Sequence, residues 1–266
     1  DDAGPTQTGT PSNAKNVLSI AALGHAGATN VPTYSNRGPA ADGRIKPDIG
    51  APGTSVISAA RTTTFSAVPT APTTANFSGT SMAAPTVSGN AALLRQYFTD
   101  GFYPRGERTA ADATNPTGAM LKAMLINSTN PLGAPAWPNA DSDWGRPWLD
   151  GNLCFKTTLG GGSDARRTRV FERIQAAGLK TGDVNEYTIA NVAAGQELRA
   201  TLAWFDPEAA GGAAIALVNN LDLEVVGPDS TIYKGNVFTA GVSTSGGSAD
   251  ARNTVEQVRL TAPAAG

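Results

Sequence analysis

The chain has 266 residues, and its 20 Lys and Arg against 22 Asp and Glu give a formal net charge of −2. A protein that binds nucleic acid or an anionic membrane needs a basic face, so this balance argues against both as main partners. The length suits one large or two ordinary domains and can bury a core without disulfides. A charged fraction of only 16% is typical of a secreted protein.

Cysteine and histidine each occur once, as Cys154 and His25. One cysteine allows no intrachain disulfide and excludes a zinc site built on several cysteines. No apolar run approaches the ~20 residues of a membrane helix, so we expect no membrane-spanning segment. The start, residues 1–5 (DDAGP), has no basic segment followed by an apolar one. We interpret the chain as a processed product or a piece of a longer protein.

The first half of the chain alternates short apolar strands with helical patterns. Strands are predicted over residues 16–23 and 54–59 from their apolar, β-branched composition. A second helical pattern covers residues 119–126, with Thr117 as its expected N-cap. Strands interleaved with helices predict an α/β architecture with a largely parallel sheet.

The first helical pattern covers residues 84–98. Val87, Ala91 and Leu94 recur at helical spacing and predict one buried face. Pro85 is expected in the first turn, where its missing N–H costs little. The helix should therefore begin shortly after the serine at position 81.

A glycine-rich break at residues 160–163 (GGGS) marks the expected domain boundary. We assign residues 1–158 to the α/β part and residues 159–266 to a second domain that is cut short at its end. In that second domain, residues 197–204 and 221–226 alternate apolar and polar side chains, which is typical of half-buried strands. Short strands at this spacing predict an antiparallel sandwich or jelly roll.

A turn at residues 227–230 (GPDS) comes after the second of these strands and leads into another strand that begins at residues 231–233 (TIY). We expect no amphipathic helix beyond the glycine-rich break.

The segment at residues 76–85 (NFSGTSMAAP) carries the strongest chemical signal. Ser81 stands between a glycine, which lets another backbone approach closely, and a predicted helix. Backbone N–H groups at a helix N-terminus favour negative charge, which suits a serine nucleophile and the oxyanion of a tetrahedral intermediate. The alternative is that Ser81 only caps its helix.

Two blocks of sequence resemble the subtilisin family of serine endopeptidases. Residues 79–85 (GTSMAAP) are similar to the family's nucleophile segment. Residues 35–39 (SNRGP), 42–49 (DGRIKPDI) and 51–53 (APG) are similar to the segment that precedes the serine in subtilases, and they occur in the expected order. The resemblance covers roughly residues 1–150.

This resemblance implies part of a subtilisin-type parallel sheet with helices, and it implies roles for two residues. Ser81 would be the acyl-enzyme nucleophile, and its N–H one oxyanion donor. Thr80 would support the oxyanion through its hydroxyl. The substrate would be a protein or peptide, with no cofactor needed for the chemistry.

The family's catalytic Asp and His segments have no counterpart in this chain. His25 lies in LGHAG, which is not the family's context, so we interpret it as a loop histidine. The start of the chain resembles the segment just after the family's oxyanion asparagine. We therefore expect catalytic Asp, His and oxyanion Asn to come from outside this chain, which alone should be close to inactive because a serine without a base is a weak nucleophile.

Three interpretations of this absence remain open. The chain is the C-terminal part of a complete protease, or a separate N-terminal chain docks and completes the site, or the chain is a pseudoprotease. We favour the first, because half of a doubly wound sheet would expose an unpaired edge. The rival function is a non-catalytic binding or structural module in which the sandwich contacts protein or glycan and Ser81 is inert.

Residues 217–225 (LVNNLDLEV) and 250–258 (DARNTVEQV) resemble the jelly-roll domain that comes after the catalytic domain in some secreted subtilases. Oxygen-bearing side chains among these strands predict a calcium site. The candidate ligands are Asp222, Asp250, Asn253 and Glu256. The alternative is that they face solvent on alternating strand positions.

Overall fold

The computed structural model describes residues 8–25, 28, 30–60, 73–132, 138–139, 144–156, 168–174 and 178–266. The predicted boundary between residues 158 and 159 and the glycine run at 160–163 lie outside the described residues. The domain division therefore stays a prediction.

Strands and helices alternate in the first part, and strands succeed one another in the second. The described strands are β1 (Ile20–Leu23), β2 (Ile49–Pro52), β3 (Val56–Ala60), β4 (Thr73–Phe77), β5 (Thr129–Asn130), β6 (Arg146–Pro147), β7 (Leu198–Ala203), β8 (Glu224–Val226), β9 (Ile232–Thr239), β10 (Val242–Ser245) and β11 (Val255–Leu260). The helices are α1 (Thr80–Thr99), α2 (Gly118–Asn127) and two short 3-10 helices, Ala110–Asp112 and Leu149–Gly151.

The first part is built around β1 and β2, which pair in parallel with Ile20 opposite Ile49. Helix α1 packs on both strands, which confirms the α/β architecture. Among the described strands this is the one parallel pair, because β3–β4 and β5–β6 are antiparallel. The expectation of a largely parallel sheet is therefore wrong for the described residues. The strand predicted over residues 16–23 is limited to its second half.

Helix α1 begins at Thr80 and not at residue 84 as predicted. Gly79 precedes it with φ 155°, a conformation that non-glycine residues rarely adopt. Pro85 is consequently the sixth residue of the helix and lies outside its first turn, contrary to expectation. Because proline has no N–H, the hydrogen bond that residue 85 would donate to the Ser81 carbonyl cannot form. The helix nevertheless continues beyond Pro85 to Thr99.

Helix α2 begins and ends close to the predicted bounds, at Gly118 and Asn127. The Thr117 hydroxyl accepts a hydrogen bond from the Met120 N–H at 3.2 Å, which is the predicted N-cap. Such a cap stabilises a helix by about 1 kcal/mol. The helix buries Leu125 and Ile126 in the same core as α1.

The second part is antiparallel, as predicted. Strand β11 pairs with β7 along six residues, from Val255 opposite Ala203 to Leu260 opposite Leu198. Strand β9 pairs with β8 and β10 in a second sheet. The predicted strand at 197–204 is confirmed as β7, whereas only the end of the one at 221–226 is a strand.

Side chains from the two parts bond to each other around Asp206. Its carboxylate accepts hydrogen bonds from the Lys15 ammonium at 2.6 Å, the Val218 N–H at 2.7 Å and the Asn219 N–H at 2.8 Å. Burial alone would raise the pKa of Asp206, but these donors outweigh it and hold the pKa below its usual value. A buried ion pair thus joins Lys15 in the first part to Asp206 in the second.

No helix within the described ranges is long and apolar enough to cross a bilayer.

Candidate active site

Ser81 lies beyond the carboxyl ends of the two parallel strands. The Gly53 N–H, just after β2, donates to the Leu23 carbonyl at the end of β1 at 3.0 Å. The Gly79 N–H in turn donates to the Gly53 carbonyl at 2.7 Å. Ser81 comes two residues later, in the first turn of α1, and is exposed. This edge of an α/β sheet is where ligands usually bind.

Two glycines allow the serine segment to approach the sheet. A Cβ on Gly53 would lie 2.8 Å from the Gly79 carbonyl oxygen and 2.7 Å from the Ala22 Cβ, both too close. Gly79 has φ 155° and turns the chain from β4 into α1. The position of Ser81 therefore depends on glycine at both 53 and 79.

Ser81 lies in the first turn of α1, directly after Thr80. The Met82 N–H bonds back to the Gly79 carbonyl at 3.1 Å. Neither the hydroxyl nor the N–H of Ser81 has a partner among the described residues, whereas a capping serine would accept a bond from its helix. The N-cap position belongs to Gly79, so the interpretation of Ser81 as a cap is wrong. Thr80 is half-buried as the first helical residue.

A small polar network fixes the strand end beside the serine segment. The Tyr34 hydroxyl lies 2.9 Å from the Gly53 carbonyl and 2.6 Å from the Thr54 hydroxyl. The Ser55 N–H donates to the Ser78 hydroxyl at 2.9 Å. Sequence reasoning did not single out Tyr34, because a tyrosine 47 positions before the serine gives no local signal.

His25 lies two residues after the end of β1 and its side chain is exposed. Its carbonyl accepts a hydrogen bond from the Ala28 N–H at 2.8 Å. Within the part of the chain that the structure describes, no hydrogen bond joins it to Ser81. A base for Ser81 would need to approach to about 3 Å. The interpretation of His25 as a loop residue stays a prediction.

The block at residues 42–49 contains a buried carboxylate that the sequence did not reveal. Asp48 Oδ2 accepts hydrogen bonds from the Ser19 N–H at 2.7 Å and from Lys46 Nζ at 2.6 Å, and Oδ1 lies 3.2 Å from Lys122 Nζ. Burial alone would raise the pKa of Asp48, but the charges of Lys122 and Lys46 outweigh it and lower the pKa. The block therefore stabilises the parallel pair of β1 and β2, against which the serine segment packs.

The four predicted calcium ligands have different surroundings. Asp222 is exposed, while Asp250 accepts bonds from the Arg252 N–H at 2.8 Å and from the Asn253 amide at 2.6 Å. The Asn253 side-chain oxygen accepts from the Ile45 N–H at 2.8 Å. Asp222 Oδ1 also accepts a bond, from the Asn220 amide at 3.0 Å, so these three side chains are all used in bonds within the protein.

Glu256 is the fourth candidate, and it is 1% exposed. Its Oε2 accepts a hydrogen bond from the Leu223 N–H at 2.7 Å, while Oε1 has no partner among the described residues. Burial raises the pKa of Glu256 to about 8, with the charges of Asp250 and Asp222 adding to the effect. The described residues contain no group of three His, Cys, Asp or Glu able to hold a metal ion. Calcium binding stays a prediction.

The geometry of a serine on a helix N-terminus, packed against parallel strands through two glycines, agrees with the family comparison. The Subtilase family matches residues 1–153, more than half of the chain. The chain therefore belongs to the subtilase family.

Related proteins extend the similarity into the second part of the chain. A Dictyostelium discoideum protein, "Serine protease/ABC transporter B family protein tagB", is 32% identical over 271 residues, which is 86% of this chain and 14% of that protein. The tagD protein of the same organism is 32% identical over 76% of this chain and 13% of its own length. The Arabidopsis thaliana "Subtilisin-like protease SBT3.6" is 42% identical over 110 residues, 38% of this chain and 13% of that protein. The chain thus spans a small share of the relatives that it matches.

Proposed function

We propose that this chain is the serine-bearing part of a secreted subtilisin-like endopeptidase that cleaves peptide bonds in proteins or peptides. Ser81 is the nucleophile, its N–H is one oxyanion donor, and Thr80 supports the oxyanion. The observation that carries the proposal is the Ser81 hydroxyl, which is exposed on the first turn of α1 and has no partner among the described residues. The printed names of the relatives, which include serine protease and subtilisin-like protease, support it.

The reaction needs groups that we assign to a segment outside this chain. An imidazole, oriented by a carboxylate, takes the proton of the Ser81 hydroxyl as Oγ attacks the peptide carbonyl. An asparagine side chain donates the second hydrogen bond to the oxyanion. The amine leaves with the proton, and water then hydrolyses the acyl group from Ser81. Alone, the chain is close to inactive because it lacks this base.

The second part of the chain is proposed to be a jelly-roll domain docked on the catalytic part. The antiparallel pairs β7–β11 and β8–β9–β10 support this architecture. The contact of α2 with β7 holds it in place, where the Asn127 amide donates to the Thr201 hydroxyl at 2.9 Å. A docked domain of this kind keeps the serine half of the site in one orientation.

The test is labelling with a fluorophosphonate, read by intact mass. The Ser81 oxygen forms a bond to phosphorus, fluoride leaves, and the serine proton passes to the base. We expect one label in the native protease containing this chain, none in the isolated chain, and none in Ser81→Ala. Ser88→Ala is the matched control, because Ser88 is exposed on the same helix and bonds only to the Ala84 carbonyl at 3.1 Å.

Absence of labelling in a folded native preparation would contradict the protease proposal and support the non-catalytic module. Labelling that survives in Ser81→Ala would assign the nucleophile to another residue.

A further inference from the structure

A small cavity lies where residues 44–48 meet the start of β11. Its lining includes three cationic side chains, Lys15, Arg44 and Lys46, and one carboxylate, Asp48. It leaves about 10 Å³ for the centre of a water-sized molecule, which corresponds to one occupant of that size. The cavity is separate from Ser81 and takes no part in the proposed peptide cleavage.

One of these three cations, Arg44, has a buried nitrogen donor that has no hydrogen-bond partner among the described residues. Arg44 is 7% exposed, and its Nε donates to Asp42 Oδ2 at 2.6 Å. Its Nη1 is buried without a hydrogen-bond partner among the described residues. A buried donor left unsatisfied costs about 1–3 kcal/mol, more when it is charged. Something that accepts a hydrogen bond is therefore expected at this position.

A second spare donor belongs to Lys46. An ammonium group has three donors, and Lys46 Nζ uses two of them, towards the Val17 carbonyl at 2.8 Å and towards Asp48. Lys15 differs, since its Nζ bonds to Asp206, Pro207 and Ala216. The donors left for an occupant of the cavity thus come from Arg44 and Lys46.

Most of the side-chain oxygens that line the cavity already accept a hydrogen bond. The Asp48 carboxylate contacts two lysines and the Ser19 N–H. The Asn253 oxygen accepts from the Ile45 N–H, and the Thr254 hydroxyl donates to the Lys15 carbonyl at 2.9 Å. A water molecule would bring two donors to a site whose carboxylate and amide oxygens already accept bonds, which leaves the Thr254 hydroxyl as its side-chain acceptor. An anion brings only acceptors.

The local charge favours an anion as well. Lys15 is balanced by Asp206 and Arg44 by Asp42, but Asp48 faces both Lys46 and Lys122. One positive charge is therefore in excess among these buried groups. Burial lowers the pKa of Lys46 to about 8, and repulsion from Lys122 and Arg44 adds to the effect against the attraction of Asp48. A water molecule would leave this excess uncompensated.

We propose that this cavity binds one small monovalent anion of the chloride class, held by the Arg44 guanidinium and the Lys46 ammonium. Because its lining comes from residues 44–48 and from residues 253–255, the bound anion stabilises the packing of β11 against the first part of the chain. The Asp48 carboxylate does not repel it strongly, since two lysines neutralise that charge.

The first test compares thermal unfolding of the full chain in sodium chloride and in sodium gluconate at equal ionic strength, since gluconate is too large for the cavity. A ligand that binds only the folded state at ten times its Kd raises the folded-to-unfolded ratio about elevenfold. We expect the Tm to rise with chloride and not with gluconate. Equal Tm values in the two salts would overturn the proposal.

The matched variants are Arg44→Met and Arg105→Met. Each removes an arginine whose Nε pairs with an aspartate, at 2.6 Å to Asp42 and at 2.7 Å to Asp112, but the Arg105 side chain is 60% exposed and lies away from the cavity. We expect the chloride dependence to disappear in the first variant and to persist in the second. Persistence in both would contradict the assignment.

A crystal of the unmodified chain soaked in sodium bromide provides a test that does not depend on the folding of a variant. We expect an anomalous bromide peak within about 3.3 Å of Arg44 Nη1, a hydrogen-bond distance to a large anion. Density for water alone would overturn the proposal. A bromide peak without any chloride dependence of the Tm would indicate an adventitious ion and would also overturn it.

Discussion

The two parts of this chain bury different kinds of side chain. Around α1 and α2 the core is apolar, with Leu94, Phe98, Ile126 and Trp144 all at or below 1% exposure. In residues 178–266, all of which the structure describes, the buried polar side chains outnumber the buried apolar ones. The apolar ones are Val255, Val258 and Leu260, and the polar ones are Asp206, Ser243, Asn253, Thr254, Glu256 and Gln257. Apolar side chains thus predominate among the buried residues described in the first part, and polar ones among those of the second.

Exposed apolar side chains reinforce this contrast. In the second part they include Val184 at 84% exposure and Tyr187, whose ring stacks on Phe171 at 4.2 Å. An apolar side chain left in water contributes little to folding. The second part therefore depends on its buried polar groups being satisfied, and removing one partner should cost more there than truncating an apolar side chain.

The largest effect is expected from leucine truncation in the first part. Leu94→Ala in α1 should lower the free energy of unfolding by about 3–5 kcal/mol, since a fully buried leucine leaves a cavity. Leu260→Ala at the end of β11, where the leucine is 9% exposed, should cost about 2 kcal/mol. Urea unfolding measures both. If Leu94→Ala and Leu260→Ala lowered the free energy of unfolding equally, the two parts of the chain would not differ in this way.

Asp206→Asn should cost about 3 kcal/mol, more than Leu260→Ala, because it leaves the Lys15 ammonium buried without a counter-charge. The folded-state pKa of Asp206 is lowered, so the folded state binds its proton less tightly than the unfolded state. This stabilisation is present above the unfolded pKa of ~4 and is lost as pH falls through the folded value.

The control for Asp206 is Asp229→Asn, in an exposed turn where the carboxylate bonds to Thr231. Urea unfolding between pH 2 and 7 should show a weaker pH dependence for Asp206→Asn than for the unmodified chain. If the free energy of unfolding changed with pH in the same way for Asp206→Asn and for the unmodified chain, the role of this ion pair would be contradicted.

The smallest effect at pH 6 is expected from Glu256→Gln, about 1 kcal/mol or less, since both side chains are then neutral. The folded-state pKa of Glu256, about 8, lies above the unfolded value, so the folded state binds more protons between about pH 4.5 and 8. Stability contributed by this group therefore falls as pH rises through that window. Glu256→Gln should remove this fall in stability with rising pH. Glu224→Gln, at an exposed position of β8, should retain it.

The same pair of variants tests the calcium prediction. If Glu256 is a calcium ligand, millimolar calcium gluconate, which brings no chloride, should raise the Tm of the unmodified chain at pH 8 and leave that of Glu256→Gln unchanged. A rise of equal size in both would remove Glu256 from any calcium site.

The sequence was most informative where the determining interactions are local. The Thr117 cap and the strand β7 depend on residues within a few positions of each other, and both are confirmed. The start of α1 was misplaced because Pro85 suggested a first turn, whereas Gly79 sets the true beginning. The motif at residues 79–85 identified Ser81 as a candidate, and the role of Ser81 as nucleophile stays a prediction.

The long-range bonds of the buried polar groups could not be predicted because they join residues distant in the sequence. Asp48 pairs with Lys122 across 74 positions, and no spacing rule links them. The Arg44 guanidinium became informative only once its missing partner and the neighbouring charges were visible. The resemblance of residues 250–258 to part of a jelly-roll domain could not tell that Glu256 is a buried side chain.

The bond between Lys15 and Asp206 joins residues 191 positions apart, and the bond between Lys15 and Thr254 joins residues 239 positions apart. Contacts of such long range form late, since a large loop must close before they contribute. During synthesis, which proceeds from the N-terminus, the buried ammonium of Lys15 must wait until residues 206–216 have been made before it finds its partners. A ribosome-bound chain that ends before residue 206 should therefore remain sensitive to proteases and acquire resistance only once residues 206–216 emerge.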